Sequence, residues 1–286
     1  MSQLSAIKDR IGTISNLYKV TRAMDMVTRT RIHKIRQNFL NAKKYQEMFA
    51  KTLALVSAKT PVSSALADTS LPLEKYYLAF FSHKGFCGGF NDRLLTELKL
   101  ILLNNPVQLY MLGRSHTKWK YYIKQEYQHI EAGEKSYQDE TAALISEIQS
   151  KILSGANIEV YFAYNQYISV LEQDPVVQKI YPVELPVQTT GDVLLEPESN
   201  VLYPELLRGY LAACLDSTYW ESFAGEYYAR LLSMKDANDN AEIMLNTLLI
   251  QYNKTRQMRI TQELSEVVSA FDILRLTDEK KEYEGA

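Results

Sequence analysis

Leu4-Ser5-Ala6-Ile7-Lys8-Asp9-Arg10-Ile11-Gly12-Thr13-Ile14-Ser15-Asn16-Leu17-Tyr18-Lys19-Val20 opens the stretch that decides the fold. From Leu4 to Lys59 there is no proline and a single glycine, Gly12. A second such stretch, from Trp220 to about Leu274, again lacks proline and holds one glycine, Gly225. Each predicts one continuous helix. At about 1.5 Å per residue, roughly 55 residues reach roughly 80 Å, far more than a globular core needs. Helices of that length are made to reach, as a shaft or a coiled coil does. A chain that begins and ends in them can pair the two with each other and carry a compact domain between.

Apolar side chains recur at spacings of three and four in the first stretch: Leu4, Ile7, Ile11, Ile14, Leu17, Val20, Met24 and Val27. This predicts a seam for another helix. Thr28-Arg29-Thr30-Arg31 interrupts it, and it resumes at Ile32, Ile35, Phe39, Ala42, Tyr45, Phe49, Leu53 and Val56. The five-residue step from Val27 to Ile32 predicts that the stripe changes face there. The C-terminal seam reads Phe223, Tyr227, Leu231, Met234, Ala241, Met244, Leu248 and Tyr252. After a polar run it continues at Leu264, Val267, Phe271 and Leu274.

The middle has a different rhythm. Residues 60–74 read as a loop around Pro61. Tyr76-Tyr77-Leu78-Ala79-Phe80-Phe81 is a buried strand, followed by a helix at about 90–103. Gln108-Leu109-Tyr110-Met111-Leu112 is a second strand, and helical patterns follow at about 115–125 and 137–154. Ile158-Glu159-Val160-Tyr161-Phe162-Ala163-Tyr164 is a third strand. Residues 176–187 are a fourth candidate, interrupted by Pro182 and Pro186. Alternating strands and helices imply an α/β domain with a largely parallel sheet. A loop with Pro197 and Pro204 leads back to helix. The expected division is a coiled-coil helix at 1–59, an α/β domain at 75–210, and a coiled-coil helix with a charged tail at 211–286.

The net charge of −2 hides an asymmetry. Residues 1–59 carry twelve Lys or Arg against three acids, Asp9, Asp25 and Glu47, so the remainder is strongly acidic. A basic helix asks for an acidic partner: nucleic acid, anionic lipid or an acidic protein surface. Its cations interleave with a full apolar stripe and no nucleic-acid fold is evident, so a solvated or protein-facing role is expected and nucleic acid is not. Two cysteines, Cys87 and Cys214, form neither a CxxC pair nor a zinc pattern, and a reducing compartment is the simplest reading. The four histidines show no metal-ligand spacing, and no cofactor is expected. There is no secretory signal and no apolar run of membrane-spanning length.

Gly85-Phe86-Cys87-Gly88-Gly89 lies where a phosphate loop would, after a strand and before a helix. It lacks both the GxGxxG spacing and the Gly-Lys-Ser/Thr of a P-loop, so a tight turn is expected and direct nucleotide binding is not. Cys87 as a nucleophile would need a base, and His83 is the only one near in sequence. Lys254-Thr255-Arg256-Gln257-Met258-Arg259-Ile260-Thr261-Gln262-Glu263 is a polar run inside an otherwise amphipathic helix. Such a run is either solvated or set in polar protein surroundings.

These last residues carry a family resemblance. Tyr252-Asn253-Lys254-Thr255-Arg256-Gln257, with Ile260-Thr261-Gln262-Glu263-Leu264-Ser265-Glu266-Val267-Val268-Ser269-Ala270, resembles the C-terminal signature of the γ subunit of F-type ATP synthases. Ile7-Lys8-Asp9-Arg10-Ile11 and Lys19-Val20-Thr21-Arg22-Ala23-Met24-Asp25-Met26-Val27 resemble its N-terminal signature. Gly85–Asn91, Tyr164-Asn165, Glu196-Pro197 and Ala229-Arg230-Leu231-Leu232-Ser233-Met234-Lys235 through Asp239-Asn240 add to the match, in order along nearly the whole chain. The resemblance implies an α/β fold class: a long antiparallel coiled coil of the terminal helices plus a Rossmann-like domain. It implies a non-catalytic rotor that carries torque between a membrane ring of c subunits and a catalytic hexamer of α and β subunits, with the ε subunit at the foot.

By the same resemblance, Lys8, Arg10, Lys19 and Arg22 would face an acidic helix-turn-helix of β, and Met24 falls at the methionine of the shaft-to-β contact. Arg256 and Gln257 match a pair that hydrogen-bonds a loop of an empty β subunit, with Thr261 nearby. Two features depart from the pattern. Ala224-Gly225-Glu226-Tyr227-Tyr228 stands where the family usually has Ser-Glu-His-Ala. The chain also runs about sixteen residues past Ser269-Ala270. The methionine start favours a bacterial chain, at the cytoplasmic face of the inner membrane. Two alternatives stay open, a coiled-coil scaffold with an α/β head and a nucleotide-binding enzyme using Gly85–Gly89. Co-purifying subunits separate them.

Overall fold

The computed structural model describes residues 3–59, 72–102, 107–114, 123–131, 133–134, 136–183 and 195–284, and side chains within them except at 58, 59, 199, 200 and 272–284. The elements are α1 (Gln3–Lys59), β1 (Glu74–Phe80), α2 (Phe90–Leu102), β2 (Gln108–Leu112), β3 (Tyr127–Ile130), α3 (Tyr137–Leu153), β4 (Ile158–Tyr167), β5 (Gln173–Tyr181) and α4 (Ser199–Glu284). They form two compact units, Met26–Ser233 and the pair Met1–Asp25 with Met234–Ala286.

In Met26–Ser233 the five strands make one sheet in the order β3-β2-β1-β4-β5. β1 pairs in parallel with β2 and β4, β2 in parallel with β3, and β5 runs antiparallel to β4. β1 shows why its residues suit a central strand. Tyr76, Leu78 and Phe80 point to one face and Tyr77, Ala79 and Phe81 to the other, so both faces are apolar, as a strand covered on both sides requires. One face packs on α2 through Leu94, Leu95 and Leu98. The other packs on α3 through Leu144, Ile145, Ile148 and Ile152, and on α1 and α4 through Leu53, Val56, Leu207 and Leu211. Higher up, Ile35 of α1 packs against Phe223, Ala224 and Tyr227 of α4. Near the base, Gly209 of α4 lies so close to Phe49 of α1 that a Cβ there would overlap the ring.

Several sequence expectations are corrected. β3 was not expected. The helical pattern at 115–125 falls mostly outside the described residues, as do most of the loop at 60–74 and residues 184–194. The fourth strand candidate is real but lies earlier, at Gln173–Tyr181. α4 begins at Ser199, not near Trp220, and includes Pro204. Pro204 is the sixth residue of α4, past the first-turn amides that lack an acceptor, so it forfeits one helical bond, which the burial of Tyr203, Leu207 and Leu211 around it offsets.

In the unit formed by Met1–Asp25 and Met234–Ala286 the helices run antiparallel. The Thr21 hydroxyl reaches Asn238 Oδ1 at 3.4 Å, while Gln3 and Leu4 share a groove with Thr255, Met258 and Gln262. The covered residues follow a strict heptad spacing: Ile7, Ile11, Ile14, Tyr18 and Thr21 on α1, and Met234, Asn238, Ala241, Leu245, Leu248, Tyr252 and Thr255 on α4. Within Met26–Ser233 the same spacing on α1 runs through buried Thr28, then Ile32 and Ile35. The expected change of face therefore does not occur. Threonines carry the seam through the polar stretch, and Leu17, Val20 and Val27 are 50, 55 and 58% exposed. Met244 is likewise exposed, its expected place taken by Leu245. Ile7→Ala is thus expected to lower the stability of the isolated chain by about 2 kcal/mol. Leu17→Ser should stay within about 0.5 kcal/mol, read by thermal melting.

Candidate partner-contact surface

All eight residues singled out from the sequence lie on the two-helix unit. Lys8, Lys19 and Arg22 are exposed and stand at i, i+11 and i+14, which places them on one stripe of α1. Arg10 is exposed too, but two residues from Lys8 it lies on another side of the helix. Met24 is half-buried at the edge of the seam. The structure thus brings three of the four cations together and separates the fourth.

On α4 the last half-buried seam residue is Thr255, and every residue from Arg256 to Phe271 is exposed. The reason is geometric: α1 begins at Gln3, which lies beside Thr255 and Met258, so no described part of α1 extends far enough to cover α4 beyond that point. Thr261 Oγ1 donates to the Gln257 carbonyl at 3.0 Å, Arg259 pairs with Glu263 at 2.8 Å, and Gln262 donates to Glu266 at 3.0 Å. These are bonds a helix makes with itself. The side chains of Arg256 and Gln257 make none among the described residues. Gln257 and Thr261, four apart, share a face, and Arg256 lies on an adjacent one.

The expected continuation of the seam at Leu264, Val267 and Phe271 is corrected here. They are 61, 64 and 71% exposed. With Ile260 they stand at i, i+4, i+7 and i+11, an apolar stripe that Arg256 heads one turn earlier. The sequence reading missed this stripe as a free surface, together with Leu17, Val20, Met26 and Val27 on α1. A strict count of heptad positions was the available signal.

The glycine loop is a strand-to-helix turn. Its approach is occupied by protein: the Glu226 carboxylate accepts the N–H groups of His83 at 2.9 Å and Lys84 at 3.2 Å. Cys87 is buried and its thiol leans on the Lys84 carbonyl at 3.8 Å. Burial raises the Cys87 thiol pKa and lowers that of the His83 imidazole. Both shifts oppose a thiolate–imidazolium pair. Cys214 is fully buried in the core, and burial pushes its thiol from 9.0 up to about 12. Because the fold retains this proton more tightly than the unfolded chain, that stabilisation is present below about pH 9 and is lost as pH rises toward 12. Neither thiol is expected to react with a disulfide reagent at pH 8 until the chain is unfolded, when both should titrate.

No group of side chains suited to hold a metal occurs among the described residues. No described helix is long and apolar enough to cross a membrane. Two long helices carry an exposed charged and apolar surface, and an α/β body sits between them in the chain.

A family model described as ATP synthase matches residues 3–274. The chain is 30% identical over 290 residues to the ATP synthase gamma chain of Polynucleobacter asymbioticus, covering 94% of this chain and 98% of that one. The chain belongs to the ATP synthase γ-chain family. The gamma chain of Anaeromyxobacter sp. is 29% identical over 292 residues, covering 96% and 100%. Among solved structures, a chain of the Euglena gracilis mitochondrial ATP synthase (OSCP/F1/c-ring, rotational state 3) superposes with a TM-score of 0.67 at 16% identity, covering 95% of this chain and 94% of that one. A rotor chain from the same organism gives 0.58 at 14% identity. This γ chain therefore has the fold of a central-stalk subunit. Membership makes it a subunit of an ATP synthase.

Proposed function

We propose that this γ chain transmits torque between a ring of c subunits and a catalytic hexamer of α and β subunits, with an ε subunit at its foot. The observation that carries this reading is the uncovered length of α4 from Arg256 to Phe271, polar at one end and apolar at the other, on a helix whose earlier part is paired. A contiguous exposed apolar stripe rimmed by polar residues is the mark of a surface that a partner covers. Lys8, Lys19 and Arg22 supply a cationic stripe for an acidic partner, and Arg10 a separate cation. Met24 lies at the seam edge beside them. Arg256, Gln257 and Thr261 supply hydrogen-bonding groups for a β subunit. The catalytic subunits pass through open and closed states as an asymmetric shaft turns among them, a biased conformational equilibrium. ATP chemistry occurs in the partners.

The finer reading is of a proton- or sodium-driven machine, peripheral to the cytoplasmic face of a bacterial inner membrane. Its working parts are a coiled-coil segment at 1–59, the α/β body at 75–210 and a coiled-coil segment with a charged tail at 211–286. The test is purification of the native complex through this chain, with its subunits identified by mass spectrometry and ATP-driven pumping measured with and without sodium. Co-purifying α, β, ε and c subunits support the reading. A complex without α and β overturns it.

A further inference from the structure

Glu226 and Arg230 stand one turn apart on α4, are 2% and 4% exposed, and form an ion pair. Neither is spent on the other alone. The carboxylate accepts the backbone N–H groups of His83 and Lys84, at 2.9 and 3.2 Å. The guanidinium donates through Nη2 to the Lys84 carbonyl at 3.0 Å and through Nε to the Gly85 carbonyl at 3.1 Å. Its Cζ lies over the Tyr227 ring, 5.1 Å from the ring centre. Two side chains of one helix thus take up the main-chain groups of three successive residues that follow the central strand. The His83 ring is held against Tyr219 and Phe223, with centroids at 5.4 and 5.2 Å. Just beyond, Phe86 and Gly88 adopt left-handed φ values of 63° and 57°. For phenylalanine that conformation persists only where its surroundings impose it.

Apolar contact between a helix and a loop holds area but leaves the helix free to slide or turn a little. Buried charge-assisted hydrogen bonds do not, because each fixes a distance and a direction in a medium where a lost partner is expensive. A buried ion pair stabilises little beyond what packed apolar side chains would, so its distinguishing contribution is geometry. Here the geometry opposes rotation of α4 about its own axis relative to the end of β1. α4 then continues without a break to Glu284.

We propose that Glu226 and Arg230 are positioning residues that lock the end of β1 to α4 against torsion, so that the α/β body and the rotating helix turn as one. The proposal rests on the rotor reading above and names the residues through which torque enters the helix. Without the lock, the helix turns part-way against the body, and ion flow and ATP turnover lose their fixed ratio.

The test uses the complete complex in vesicles, with wild-type, Glu226→Gln and Arg230→Lys chains. Three quantities are read: ATP hydrolysis, ions pumped per ATP hydrolysed, and hydrogen exchange at the His83 and Lys84 amides. For Glu226→Gln, exchange at the two amides is expected to rise at least about tenfold, since charged acceptors become a single neutral one. Hydrolysis is expected to stay within about twofold while pumping per ATP falls several-fold. Arg230→Lys keeps the charge but cannot reach both carbonyls and the carboxylate at once, and should fall between. Faster exchange with wild-type pumping per ATP would show that the pair merely supports the fold. Unchanged exchange would show that it does not hold the loop. If Glu226→Gln fails to assemble, Arg230→Lys decides by the same readouts, and if neither chain folds by circular dichroism the pair is a core element and the proposal falls. Failure of the rotor reading appears elsewhere, as a wild-type chain that does not enter a complex with α and β.

Discussion

Replacing both Arg256 and Gln257 with alanine is expected to slow ATP synthesis and hydrolysis in the assembled complex by roughly ten- to a hundredfold. A hydrogen bond to a charged group contributes about 1.5–3 kcal/mol, and about 1.4 kcal/mol corresponds to a factor of ten. The guanidinium of Arg256 offers a fork of such donors, and in the isolated chain its side chain is spent on nothing among the described residues. The neighbouring polar residues behave otherwise: Arg259 is paired with Glu263 and Gln262 with Glu266. Those pairs are exposed and contribute little, so their alanine variants serve as controls. Helix formation should be intact in the double variant, since alanine is the best helix former and both positions are exposed. Measurement of both reactions, with assembly checked by subunit stoichiometry, decides the matter. Wild-type rates in an assembled double variant would make Arg256 and Gln257 ordinary solvated surface.

Phe162→Ala is expected to destabilise the body by about 3–5 kcal/mol. Phe162 lies in β4, is 1% exposed, and meets the Phe80 ring edge-on at 5.5 Å. It belongs to the cluster in which α1, α3 and α4 all converge on one face of the sheet. Removing it leaves a cavity walled by regular elements from several parts of the chain, and such walls collapse only partly. The check is a denaturant titration of the isolated chain, with a midpoint shift at unchanged slope as the expected result. A change below about 1 kcal/mol would mean that the sheet and helices close over the gap and are less rigidly joined than this packing requires.

The two long helices and three of the strands were legible because their evidence is local. Proline-free length and apolar spacing are properties of neighbouring residues, and so is the alternation that buries both faces of β1. Tyr127-Gln128-His129-Ile130 carries no such evidence. Its two central residues are exposed, and it is a strand because its backbone pairs with β2 across the chain. Pro204 misled for a related reason: proline argues locally against helix, but α4 runs through it because Tyr203, Leu207 and Leu211 on either side are held in the core by distant elements. The candidate contact residues were legible only in kind. A cation or an arginine-glutamine pair can be read from the sequence, whereas which of them share a stripe depends on the phase of the helix.

The sequence by itself determined that both ends are helical, that an α/β body lies between, and that the first helix is basic. Hydrophobic periodicity and charge are written into adjacent positions and need no partner to be read. Only the tertiary structure decided which side of each helix is covered. The seam runs through Thr21 and Thr28, leaving Leu17, Val20 and Val27 outside, because packing selects a heptad phase and tolerates a small polar side chain in it. Likewise only the fold brought Glu226 and Arg230 to the main chain of His83, Lys84 and Gly85, some 140 residues away in sequence. A buried charge is stable only where distant groups complete its hydrogen bonds, and no local pattern announces where those groups will be.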